Sequence, residues 1–152
     1  MSRINNSNIS YDLSEFKDNS NKNIFYIDSP KETTKMSPVY RGDVFYYDLG
    51  KQEGSLQSGL RPVVIVSNNK GNKYSSTVIV ATITSKPDLT DLPTHADLTV
   101  DCAKFLRGNL KKSTILFEQI FTINKSDLKE KICNINLDKY KFRQPLKISL
   151  GL

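Results

Sequence analysis

The sequence predicts a small, mainly β domain of the α+β class, a barrel with accessory helices, and three observations carry that expectation. Short segments rich in β-branched and aromatic residues recur after residue 36, separated by Gly, Pro, Asn, Asp and Lys. Two of them, Val63–Val66 and Val78–Ile83, are apolar on successive positions, which marks strands covered on both faces and hence central in a sheet. A chain of 152 residues holds one ordinary domain, and a break in composition near Met36 makes that domain smaller than the whole.

In chain order, residues 1–36 read as an arm. They are crowded with Asn and Ser, follow neither the helical nor the strand period, and offer one apolar island, Ile24–Ile27. Such a segment buries too little to offset its ordering entropy, so it is expected to be disordered or loosely docked. The domain then occupies 37–152, with strands expected at Val44–Leu49, Pro62–Ser67, Thr77–Thr84, Ala96–Val100 and Thr114–Thr122. Helix is the minority. Ser126 suits the cap of a short helix through Ile132, with Asp127 in its first turn and Lys129 and Lys131 nearer its end. A second helix is expected over Leu137–Leu150, kinked or restarted at Pro145, which lacks a backbone donor.

Charge divides along the same boundary. The arm balances five basic residues (Arg3, Lys17, Lys22, Lys31, Lys35) against five acidic ones (Asp12, Glu15, Asp18, Asp28, Glu32), so the net +6 of the chain lies in 37–152. A small basic domain favours polyanions, although a solvated lysine-rich surface has the same composition. Cys102 and Cys133 fit no zinc or CxxC spacing and read as two reduced thiols of a cytoplasmic protein. No signal-peptide pattern opens the chain and the apolar runs are strand-sized, so neither secretion nor a membrane partner is expected.

The most informative stretch is Gly54–Asn68, GSLQSGLRPVVIVSN. Gly54 and Gly59 permit tight turns, Ser55, Gln57 and Ser58 supply short polar groups, and Pro62 fixes the backbone at the mouth of an apolar strand. That loop delivers Arg61, whose planar guanidinium can bind two phosphate oxygens at once. Thr84 ends the TVIVATIT strand, with a hydroxyl that can both donate and accept; read alone it is a β-branched strand end. His95 is the only histidine and reads as a structural or surface residue rather than an acid or base. No histidine cluster, carboxylate triad or HExxH spacing suggests a metal, and no cofactor motif is present. Neither cysteine has the basic-loop or glycine-turn surroundings of an activated thiol.

This stretch and seven others resemble the MazF/PemK-type endoribonuclease toxins of toxin–antitoxin pairs. The resemblance opens with Arg41-Gly42-Asp43-Val44, runs through the arginine loop, Asn68–Ser75, Thr77–Ser85 and Leu92–His95, and continues in Ser113–Ile123, Leu128–Ile132 and Ile148–Leu152. It implies an SH3-like, MazF/CcdB-like barrel, a homodimer, and control by a MazE-like antitoxin. It also implies cleavage of single-stranded RNA such as mRNA, in which the ribose 2′-OH attacks its own phosphate and leaves a 2′,3′-cyclic phosphate and a 5′-OH end. Such a reaction needs alignment, charge stabilisation and two proton transfers, but no metal. By resemblance Arg61 and Thr84 are the catalytic pair. Ser55, Gln57 and Gln119 are the candidates for substrate selection, Gln119 because the family places its segment near the RNA path. Lys70 and Lys73 are candidates for phosphate contacts, though a solvated loop explains them equally. Many relatives carry glutamate where this chain has Leu56, and an uninterrupted helix where it has Pro145. Two other readings remain open: a gyrase poison on the same barrel, which acts by binding protein, and a catalytically silent RNA-binding regulator, favoured by Leu56.

Overall fold

A computed structural model describes residues 37–86 and 91–152; the arm expected over 1–36 lies outside the described residues. The strands are β1 (Asp43–Asp48), β2 (Leu60–Ile65), β3 (Thr77–Thr84), β4 (His95–Leu98), β5 (Ala103–Lys104), β6 (Ser113–Asn124) and β7 (Lys131–Ile135). They form one antiparallel sheet in the order β4-β6-β3-β2-β1-β7-β5. The two runs read as central strands, β2 and β3, indeed sit in the middle of that order. The barrel takes the form of a curled sheet whose edges are β4 and β5.

Alternation of side chains gives each face its own core. Val44, Val64, Ala81, Ile83, Ile115 and Phe117 point to one side and pack with Phe142 and Leu146 of helix α2 (Tyr140–Leu150). Phe45, Val63, Ile65, Val78 and Val80 point to the other, where Ile123 joins them. Arg41-Gly42-Asp43 is the pivot of the β1 entry rather than an exposed recognition motif. Gly42 adopts φ +89°, and a Cβ there would stand 2.0 Å from the Ile135 carbonyl oxygen. Buried Asp43 accepts from Asn134 Nδ2 at 2.8 Å and pairs with Lys131 Nζ at 3.0 Å.

Three expectations need correction. The helix expected from Ser126 to Ile132 is absent: Lys125–Asp127 makes one 3-10 turn and Lys131–Ile135 is β7. A seven-residue helix is marginal alone, whereas a strand here satisfies the open edge of β1 and buries Ile132, Cys133 and Ile135. The fourth strand stops at Leu98, and Val100 belongs to a 3-10 turn, Val100–Cys102. Helix α2 also runs through Pro145 as one element and does not restart there. A mid-helix proline costs about 3 kcal/mol. Phe142, Pro145 and Leu146 share one buried face, and burial of such side chains, at about 1.5–3 kcal/mol each, offsets that cost. Gly151 then ends the helix in the left-handed conformation, φ +70°.

Candidate active site

Register brings the two principal candidates together. Tyr47 of β1 lies opposite Arg61 of β2, and the β2–β3 ladder pairs Val63 with Thr82. Continued by two residues, that ladder sets Arg61 abreast of Thr84. Thr84 in turn faces Thr114 of β6, which faces Asp97 of β4. Directly opposed residues share a face, so Tyr47, Arg61, Thr84, Thr114 and Asp97 form a transverse row across five strands.

Arg61 is half-buried, and its Nε–H donates to the Ser58 carbonyl at 3.0 Å. That single bond orients the guanidinium from within its own loop. Its two terminal nitrogens have no hydrogen-bond partner among the described residues, so the fork is available to an incoming anion. Arg61 and Thr84 line a common cavity of about 240 Å³, together with Ser85, Asn109, Lys111 and Ser113. Thr84 also borders a second cavity of about 530 Å³, where Lys86, His95, Asp97, Lys112 and Thr114 stand. Only 1 % of Thr84 is exposed. Its Oγ1 accepts from the Lys86 N–H at 3.4 Å, a long bond that leaves the hydroxyl proton free to turn toward a ligand.

A bulge positions the next group of candidates. Ala81 pairs with Ile120 but Thr82 pairs with Leu116, so Phe117, Glu118 and Gln119 are looped into β6 without partners on β3. Gln119 uses the freedom to clasp the arginine loop: its Oε1 accepts from the Gln57 N–H at 3.2 Å and its Nε2 donates to the Ser55 carbonyl at 3.1 Å. The amide proposed to read a base therefore holds the loop that carries Arg61. Gln57 is 6 % exposed, and its Oε1 is buried without a hydrogen-bond partner among the described residues. An orphaned buried acceptor is costly, which fits a donor supplied from outside. Leu56 and Gln57 line a third cavity, of about 380 Å³, with Thr82, Glu118 and Gln119.

Glu118 turns to the other side. It accepts from Thr94 Oγ1 at 2.8 Å and meets His95 Nε2 at 2.8 Å, while His95 Nδ1 accepts from the Leu92 N–H at 3.4 Å. The second bond assigns the acceptor role to Nδ1, so Nε2 is the donor to Glu118. Burial pushes the Glu118 carboxyl up, but hydrogen bonds from its own backbone N–H, His95 and Thr94 outweigh it and leave the group below the usual carboxylate range. His95 is thus tied structurally, as its sequence context suggests.

Lys70 and Lys73 are elsewhere. They belong to a helix, α1 (Asn69–Tyr74), that follows the far end of β2 from Arg61; Asn68 caps it by accepting from Gly71 N–H. Lys73 lies 5.6 Å over the Tyr74 ring. In their place the structure brings Lys86, Lys111 and Lys112 to the two cavities that share Thr84. Sequence reading passed over these three, yet Lys111-Lys112 directly before the Thr114 strand was a visible signal.

The thiols also differ from expectation. Lys141 Nζ reaches across from α2 to Cys102 Sγ at 2.8 Å, and Thr99 Oγ1 lies at 3.4 Å. Burial alone would raise the Cys102 thiol; these donors more than compensate and hold it below its ordinary value. Cys133 has the opposite surroundings, and burial together with Asp43 pushes it up to about 11. Both cysteines are free.

A family model described as the PemK-like, MazF-like toxin of type II toxin–antitoxin systems matches residues 40–144. The chain belongs to that family. It is 46 % identical over 113 residues to the Endoribonuclease MazF of Staphylococcus saprophyticus, a match covering 74 % of this chain and 91 % of that one. The fold is also similar to solved structures. One is an endoribonuclease in complex with its cognate antitoxin from a mycobacterial species, with TM-score 0.59 and 23 % identity over 75 % of this chain and 96 % of that one. Another is MazF from Deinococcus radiodurans, with TM-score 0.60 and 18 % identity over 77 % and 100 % of the two chains. The family match covers the arginine loop, the β3 end carrying Thr84 and the β6 bulge. Among the described residues, no helix is long and apolar enough to cross a membrane.

Proposed function

We propose that this family member is a cytoplasmic, homodimeric endoribonuclease toxin that cleaves single-stranded RNA, mRNA included, without a metal ion, and is silenced by a MazE-like antitoxin. The observation that carries the reading is the placement of Arg61 abreast of Thr84 at one cavity, with the terminal nitrogens of the guanidinium unpartnered among the described residues. Each group has a task. The Arg61 fork takes the non-bridging oxygens as charge builds on the phosphorus, and loss of one such donor typically costs about 100–1000-fold in rate. The Thr84 hydroxyl donates to a phosphate oxygen beside it, holding the ribose 2′-oxygen and the leaving 5′-oxygen in line. The nucleophile belongs to the substrate, so no nucleophilic side chain is required; as the 2′-oxygen bonds to phosphorus the 5′-oxygen departs, the 2′ proton passing to solvent and the 5′-oxygen taking a proton from it. Ser55 and Gln57 face the incoming chain from the loop, and Gln119 serves chiefly as a positioning residue that braces that loop.

The gyrase-poison reading loses ground because protein binding alone gives no reason for an oriented, unpaired arginine beside a hydroxyl. The test is cleavage of end-labelled RNA by the purified, antitoxin-free protein in excess EDTA. Cleavage should persist and leave 5′-OH ends that accept phosphate from a polynucleotide kinase without prior dephosphorylation. Ends bearing 5′-phosphate, or activity lost with chelator, would overturn the mechanism; intact RNA bound tightly would favour the silent regulator.

A further inference from the structure

The segment joining β5 to β6, with Lys104 before it, reads Lys-Phe-Leu-Arg-Gly-Asn-Leu-Lys-Lys, and its four charges (Lys104, Arg107, Lys111, Lys112) are all positive. It is anchored at both ends of its course. Arg107 N–H donates to the Ile132 carbonyl at 2.8 Å, and Asn109, Leu110 and Lys111 line the cavity that holds Arg61 and Thr84. At its start stands Phe105. It is 86 % exposed, the most exposed large apolar side chain among the described residues. It is also the only described non-glycine residue with positive φ, +54°.

Both features are unfavourable for the isolated chain. A left-handed conformation is strained for a residue with a bulky side chain, and a phenyl ring left in water forgoes its burial energy. Strain of this kind persists where surrounding structure holds it for a purpose. A flat, accessible ring inside an unbroken basic stretch matches what an unpaired nucleic-acid strand requires: a π face for one base and cations for the phosphates on either side. A second copy of the chain would bring the same positive charges and repel them, whereas RNA complements them.

We propose that Phe105 is a stacking platform for one unpaired base of the RNA substrate, with Lys104, Arg107, Lys111 and Lys112 meeting the adjacent phosphates. Asn109 at the cavity wall lies four positions beyond Phe105, an extended reach of at most about 14 Å, so the stacked base lies within a few nucleotides of the bond that is cut. The inference rests on the endoribonuclease reading and adds to it a residue that selects and holds substrate without touching the reacting atoms.

The experiment uses full-length protein and an RNA whose scissile 2′-OH is replaced by hydrogen, with 2-aminopurine placed at successive positions. Wild-type protein should quench the fluorescence at one position. Phe105→Ala should abolish that quench, weaken binding by roughly 5- to 100-fold, and raise KM for cleavable RNA while kcat changes little. Phe105→Trp should restore all three; Phe105→Leu, apolar but without a π face, should not. Leucine behaving like wild type, or alanine with unchanged quench and KM, would overturn the proposal. So would Phe105→Ala dissociating the dimer in sedimentation while its RNA affinity held, because the ring would then be a contact between copies. If wild-type protein binds and quenches but does not cleave, the enzymatic reading fails and the stacking platform stands.

Discussion

Arg61 and Thr84 differ in burial, and that difference sets how each must be tested. Arg61 is half-buried and, among the described residues, bonded only through Nε, so Arg61→Ala should lower cleavage by about 100–1000-fold with little change in melting temperature. Arg61→Lys should recover little, because a point charge does not reproduce the planar fork. Thr84 is nearly fully buried, so Thr84→Ala would add a cavity to the loss of the hydroxyl. Thr84→Val keeps the volume, and should lose most activity at near-native stability when rate and thermal melt are measured side by side. The thiols give a second prediction at this scale. A thiol held below its ordinary value is thiolate at lower pH, so Cys102 alkylation should set in at lower pH than that of an ordinary thiol, while Cys133, at about 11, stays protonated and unreactive. Lys141→Met removes the stabilising donor and should shift the Cys102 profile to higher pH, as read by mass spectrometry of iodoacetamide-treated native protein.

Among the elements, the β1 entry and the β6 bulge matter most. Gly42 cannot accept a side chain at φ +89° with Ile135 O at 2.0 Å from an added Cβ. Gly42→Ala should therefore lower stability by more than about 2 kcal/mol in urea titration, against about 1 kcal/mol of left-handed strain alone for a glycine with open space around it. Gly50, with open space around it, is the matched control, although its own positive φ keeps some strain in Gly50→Ala. The bulge gives Gln119 a bracing role that its side-chain identity did not announce. Its two bonds to the 55–57 loop arise only because the residues Phe117–Gln119 are released from the β3 ladder.

For the whole molecule, all net positive charge resides in residues 37–152, and the lysines gathered near Thr84 come from two separate segments, one after β3 and one before β6. RNA and an acidic antitoxin segment should therefore compete for one basic surface. Affinity for uncleavable RNA should fall linearly with salt on logarithmic axes, and a saturating antitoxin peptide should displace the RNA. A stable ternary complex with undiminished RNA affinity would show separate sites. A chain starting at Met36 should give the same titration if the arm takes no part.

The sequence by itself determined the mainly β class, the two central strands and the arginine loop, because apolar runs, glycine turns and proline act locally and leave local marks. It also marked Thr84 at the end of β3, where strand length and composition agree. Tertiary structure alone decided that Lys131–Ile135 is a strand, since the open edge of β1 supplies the hydrogen bonds that outweigh a weak helical preference. It alone brought Lys141 to Cys102 and Lys111 to the Arg61 cavity, and kept Lys70 and Lys73 away from it. Those outcomes depend on register and on contacts between segments far apart in the chain, and no local pattern encodes which distant partner a charged side chain will meet.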